Sequence, residues 1–146
     1  MKKIQFRYVT FLLKIQFYLC NIFTEKSQDL CYNLISGDNM YLKIKNKKIE
    51  IIECLKFSER FKSLKFVLEK IDYGLKFPNK KRISTTFFCQ RVDLCFTDKD
   101  SNIIALYENV KSEKKFRKRK AQDCYILPLN TAKQLKINDK LLLKEK

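Results

Sequence analysis

The 146-residue sequence contains no histidine, and that omission removes much of the side-chain chemistry available near neutral pH. Without imidazole there is no Ser-His-Asp or Cys-His nucleophile and no histidine-ligated zinc. Six cysteines remain: Cys20, Cys31, Cys54, Cys89, Cys95 and Cys124, separated by 10, 22, 34, 5 and 28 residues. Structural zinc draws its sulfurs in close pairs from one tight turn, and no C-x-x-C is present. Small buried thiols in a reducing cytosol are the expectation. Cys89-Gln90-Arg91 sets a thiol beside a cation, which favours thiolate, but no imidazole is available to deprotonate it. Asp98 and Asp100 resemble the opening of a calcium loop. No glycine or closing glutamate follows, so a turn is the better account. Asp93 is the one acid inside a core-like strand, either a general base or a satisfied structural carboxylate. Gly37 and Gly74 are the two glycines, too few for a phosphate-cradling loop. No catalytic residue, metal or cofactor is therefore assigned.

Binding chemistry is more visible. Residues 111–120, KSEKKFRKRK, hold seven basic residues and one acid. Lys114, Lys115, Arg117, Lys118, Arg119 and Lys120 would neutralise phosphates, and Phe116 offers a ring for stacking. The chain as a whole carries +16. Much of that has a plainer origin, because Phe, Tyr, Met, Ile, Asn and Lys total 70 residues while Gly, Ala, Arg and Pro total 13. The first group is encoded by A/T-rich codons and the second by G/C-rich ones. Lysine outnumbers arginine 26 to 6, whereas dedicated phosphate sites favour arginine's planar fork. An A/T-rich genome thus explains most of the lysine. It does not explain why so much sits between residues 111 and 120.

These residues need elements to hold them. Tyr41 to Lys45 alternate apolar and basic, the period-two pattern of a half-buried strand, and residues 48–55 read as its hairpin partner. Ser58 caps a short helix reaching residue 66. Strands are expected at 73–77, 85–89, 91–97, 102–109, 124–127 and 140–144. In the third of these, Val92, Leu94 and Phe96 alternate with Arg91, Asp93, Cys95 and Thr97, which predicts one core face. Residues 98–101 form a turn, 111–120 an exposed loop, and 131–136 a second short helix capped by Asn130. The predicted fold class is mainly β: a small barrel or sandwich of about seven short strands with one or two short helices.

Residues 40–146 form the expected single domain, and they carry net +14 of the charge. Residues 1–39 read as an extension outside it, or as a start assigned upstream of Met40. Their apolar stretch, 4–23, is interrupted by Arg7 and Lys14 into uncharged runs of six and nine residues. Neither run spans a bilayer as a helix, which needs about 20 apolar residues. No cleavage site follows, so a cytoplasmic location is expected.

From residue 73 onward the order of motifs resembles domain-of-unknown-function family 192. Tyr73-Gly74-Leu75-Lys76-Phe77-Pro78-Asn79 followed by Ser84-Thr85-Thr86-Phe87-Phe88-Cys89 is similar to "GLLFP…HTFFM". Residues 92–100 are similar to "IDVVFLDKDG". Leu127-Pro128-Leu129-Asn130-Thr131-Ala132 and residues 135–141 look like "ELPAGTA…GIKVGDRL", and residues 60–66 correspond loosely to "R.RGLMFR". The resemblance covers about residues 40–146. It implies a compact β domain and no particular activity. Its strongest positions here are Gly74, Phe77, Pro78, Thr86, Phe87, Asp93 and Pro128, which would line a small pocket or hold the fold together. Thr85 stands where the family often has histidine, Cys89 where it has methionine, and Ser101 and Asn138 where it has glycine. The leading functional expectation is a cytosolic binding or accessory domain without catalysis, its partner unknown. The alternative is a nucleic-acid-binding protein using the loop at 111–120.

Overall fold

A computed structural model describes residues 40–45, 47–55 and 64–145. The expected extension at 1–39 and most of the helix expected at 58–66 lie outside the described residues. The described residues form nine strands: β1 Met40–Ile44, β2 Lys47–Glu53, β3 Gly74–Phe77, β4 Arg82–Ser84, β5 Val92–Thr97, β6 Ile103–Val110, β7 Lys115–Arg117, β8 Asp123–Leu127 and β9 Leu143–Glu145. The fold is mainly β, as its alternating patterns predict. Seven strands make one mixed sheet in the order β6-β5-β8-β3-β2-β1-β9, and β4 pairs with β7 as a separate ribbon. Among the described strands, β2 and β3 are the pair that runs parallel.

The sheet does not close into a barrel by strand pairing, but it curls enough to bury both faces of its middle. One core contains Leu75, Phe77, Leu94, Phe96, Cys124 and Ile126, with Ile83 and half-buried Phe116 from the ribbon. The other contains Cys95, Tyr125 and Leu127 together with Leu42, Ile44, Ile49 and Ile51 from β1 and β2. Every residue of β5 is consequently buried. The one-faced reading of β5 is thereby corrected. Cys95 faces the second apolar cluster, to which β1 and β2 contribute, Asp93 faces the turn after β8, and Thr97 is buried as well.

Near the sheet's two edges the chain is tied together. Asn102 and Lys140 form a bridge, Ile103 N–H donates to the Asp139 carbonyl at 2.9 Å, and Asn138 N–H donates to the Ile103 carbonyl at 2.8 Å. Gly74 allows β3 to fit between β2 and β8. A Cβ there would meet Ile51 Cδ1 at 2.6 Å, the Ile126 carbonyl oxygen at 3.2 Å and Leu127 Cδ2 at 3.2 Å.

Three further expectations are revised. Residues 85–89 form a turn and an isolated bridge instead of a strand, since Phe87 adopts φ 65°. The helix expected at 131–136 is a single 3-10 turn, Ala132–Gln134. The loop at 111–120 includes β7, whose central Phe116 packs inward and so gives its lysine-rich sequence a sheet partner.

Candidate polyanion-binding ribbon

The β4–β7 ribbon concentrates the cationic chemistry. Its antiparallel register sets Arg82 opposite Arg117, Ile83 opposite Phe116 and Ser84 opposite Lys115. Side chains alternate across a strand, so Ile83 and Phe116 share the inner face and the other four share the outer one. Ile83 is buried, while Arg82, Ser84, Lys115 and Arg117 are exposed. The inner pair anchors the ribbon: the Phe116 ring lies 4.5 Å from that of Tyr107, itself edge-on to Phe96 at 6.2 Å. Phe116 therefore serves as a packing residue here, contrary to its expected place as a free stacking ring.

Two arginines directly across a strand pair repel each other by up to about 1 kcal/mol. No described acidic group offsets this. Among the described residues the ion pairs join Lys76 to Glu53 at 2.7 Å and to Asp123 at 3.9 Å, away from the ribbon. Further cations flank the ribbon: Lys81 precedes Arg82 and accepts through its carbonyl from Lys118 N–H at 2.9 Å, while Arg119 and Lys120 form the exposed turn after β7. Lys118 is partly withdrawn, its ammonium lying 5.7 Å from the Tyr107 ring centroid.

The other end of the ribbon is held by Thr85. Fully buried, its hydroxyl donates to the Lys111 carbonyl at 2.8 Å and accepts from Lys114 N–H at 3.0 Å. Its own carbonyl accepts from Phe88 N–H and Glu113 N–H. A residue standing where histidine is common in the resembled family thus works here as a backbone anchor. Thr86 pairs hydroxyls with Ser84 at 2.6 Å. Phe87 N–H donates to Glu113 Oε1 at 2.9 Å, and its carbonyl accepts from Phe66 N–H at 3.0 Å.

The remaining resemblance positions lie elsewhere and do not converge with these on one pocket. Gly74 and Phe77 are buried in β3, and Pro128 is buried just after β8, where its carbonyl accepts from Thr131 N–H at 3.2 Å. Pro78 ends β3. Asp93 is fully buried, and both carboxyl oxygens are occupied: Oδ1 accepts from Asn109 N–H and Oδ2 from Ala132 N–H, each at 2.8 Å. Asn109 has φ 51° at a register shift between β5 and β6, so Asp93 satisfies the donor that this bulge would otherwise orphan. Its second bond holds the 3-10 turn against β5. Asp98 likewise closes a turn, accepting from Asp100 N–H and Asn102 N–H at 2.9 Å each, and those bonds lower its pKa. Burial pushes the Cys95 thiol up to about 12 and raises that of Cys124, which makes both poor nucleophiles.

Sequence reasoning brought Lys115 and Arg117 to notice but missed Arg82. The run Lys80-Lys81-Arg82 ahead of buried Ile83 was the available signal. No family model matches the chain, and no curated protein matches it. Two solved structures share its fold. One is a candidate transcription regulator from Sinorhizobium meliloti, 16% identical with TM-score 0.61, covering 74% of this chain and 92% of that one. The other is a protein of unknown function from Novosphingobium aromaticivorans, 15% identical with TM-score 0.59, covering 76% and 89%.

Proposed function

We propose that this is a non-catalytic domain that binds nucleic-acid backbones through the outer face of the β4–β7 ribbon. The observation that carries the reading is the pairing of Arg82 with Arg117, beside Lys115, on an exposed face with no described counter-charge. Such a face costs stability in the free protein and recovers it when phosphates arrive. Charge attributable to codon usage would scatter over the surface; here two separate segments are brought together by a register that Ile83 and Phe116 enforce. The name of the Sinorhizobium neighbour, a candidate transcription regulator, agrees with this class of ligand. A cytosolic setting suits it as well, with Cys95 and Cys124 as free buried thiols and no helix among the described residues long and apolar enough to cross a membrane.

We also infer that the chain is a divergent member of domain-of-unknown-function family 192. Ser101 and Asn138, which replace glycines of that pattern, have φ 65° and 75°. Those are left-handed conformations that glycine adopts without cost.

Binding of a fluorescent single-stranded RNA across a salt series tests the function. If the four basic side chains Arg82, Lys115, Arg117 and Arg119 each neutralise a phosphate, log affinity should fall with log salt at a slope of roughly −3. Combining Arg82→Glu with Arg117→Glu should abolish binding while leaving the circular-dichroism spectrum unchanged. Salt-independent binding, or unaltered affinity in that double variant, would reject the reading.

A further inference from the structure

Among the described residues, the large exposed aromatic side chain beside the ribbon is Phe87, 44% exposed. Its ring stacks on that of Phe66, with centroids 5.3 Å apart and planes 22° from parallel. One face of Phe87 is therefore supported by a second ring while the residue stays open to solvent. The backbone beneath is unusual. Phe66, Phe87 and Glu113 all have positive φ, at 62°, 65° and 58°. For bulky residues this conformation is a genuine outlier, costing on the order of 1 kcal/mol or more each.

Burial does not account for that cost, because the ring it displays is not buried. The conformation is nonetheless imposed from both sides. Phe87 N–H is held by Glu113 Oε1, Phe87 carbonyl by Phe66 N–H, and the turn they share is anchored by Thr85. The molecule thus maintains, against local preference, a rigid ring pair at the end of its basic ribbon. Glu113 lies two residues before Lys115, so the Phe87 backbone falls within about 15 Å of that lysine, roughly four nucleotides at the per-strand rise of a duplex. The segment that holds Phe87 in place carries the exposed Lys111, Lys114 and Lys115 against one acid, Glu113, whose carboxylate accepts from Phe87 N–H. A flat ring beside a net-cationic segment suits a ligand that combines flat rings with negative charge.

We propose that the open face of Phe87 is a stacking platform for one base of a single-stranded nucleic acid whose backbone follows the β4–β7 ribbon. This rests on the ribbon reading above and narrows it, because bases offer their faces only when unpaired. Rigid support by Phe66 removes the ordering cost that a mobile side chain would incur on binding.

The test compares a short fluorescent oligothymidylate with an abasic strand of the same length, at low salt. One stacked base should make the oligothymidylate bind about 5- to 100-fold more tightly. Phe87→Leu should lower it to the abasic level without changing the affinity for the abasic strand. The chain has no tryptophan, so Phe87→Trp introduces a single tryptophan, at the site. That variant should keep the preference, and its emission should be quenched by oligothymidylate but not by the abasic strand. Equal affinity for the two strands, both weakened in the Arg82→Glu and Arg117→Glu double variant, would overturn stacking and leave the ribbon standing. A preference that survives in Phe87→Leu would also overturn it, by placing the stacked base elsewhere. Failure of both strands to bind would overturn both proposals.

Discussion

At Asp93 a buried carboxyl meets two backbone donors and leaves neither oxygen idle; at the ribbon, Arg82 faces Arg117 with no described acid to answer them. The first arrangement matches its charged group to its donors: a bulge in β6, the loose end of a 3-10 turn and a buried acid each supply what another lacks. The second leaves its conflict unresolved and displays it to solvent. Left-handed backbone occurs on both sides of this division, but at the clamp it falls on Asn109, a type that tolerates it, and beside the ribbon on the bulky Phe66 and Phe87. In one chain the sheet is built for stability and the ribbon departs from it, which is where binding is expected to reside.

The largest test of this division is alkaline unfolding. Burial raises the pKa of Cys95 from 9.0 to about 12 and also raises those of Cys124 and Tyr125. Above about pH 9 the unfolded chain releases protons that the folded sheet retains, so the native state holds more protons and stability falls as pH rises. For Cys95 alone the loss reaches about 4 kcal/mol between pH 9 and 12. Urea unfolding across that range should show it, and Cys95→Ala should flatten the curve. An equal slope in that variant would mean that Cys95 does not carry the sensitivity.

Next in size is the clamp. Asp93→Ala strands two buried N–H groups and should cost about 3 kcal/mol in urea unfolding, with Asp93→Asn milder because one acceptor survives. Binding by whatever fraction stays folded should be unchanged. A selective loss of binding would instead make Asp93 part of the site.

The smallest effect has the opposite sign. Arg82→Ser should raise stability by roughly 0.2–1 kcal/mol by relieving cross-strand repulsion, while weakening RNA binding. A shift to higher melting temperature alongside poorer affinity is the expected pattern. Lower stability with unchanged affinity would mean that Arg82 contributes through packing of its stem.

How far this division was legible in the sequence depended on the range of the forces involved. β1, β2, β3, β5, β6 and β8 announced themselves because alternation along a strand is local. The ribbon did not. Lys115-Phe116-Arg117 becomes a strand only because Phe116 finds Tyr107 and Ile83, contacts that no local pattern contains. Residues 85–89 carry β-favouring side chains, yet Phe87 is turned aside by partners at Glu113 and Phe66. Asp93 stood out as an acid in an apolar strand, but its partners are 16 and 39 residues away. Of the candidate binding face, Lys115 and Arg117 were readable as charge, and Arg82 was not readable as their neighbour.

β1 and β9 pair edge to edge, with Met40 directly opposite Glu145. The described domain therefore begins and ends at one spot, so its path is close to a ring that happens to be cut there. Joining these two ends and cutting instead within the exposed turn at residues 99–100 would give a permuted chain with the same neighbours throughout. The two ribbon strands would then lie near opposite ends of the new chain, β7 by its N-terminus and β4 by its C-terminus, while remaining paired in space.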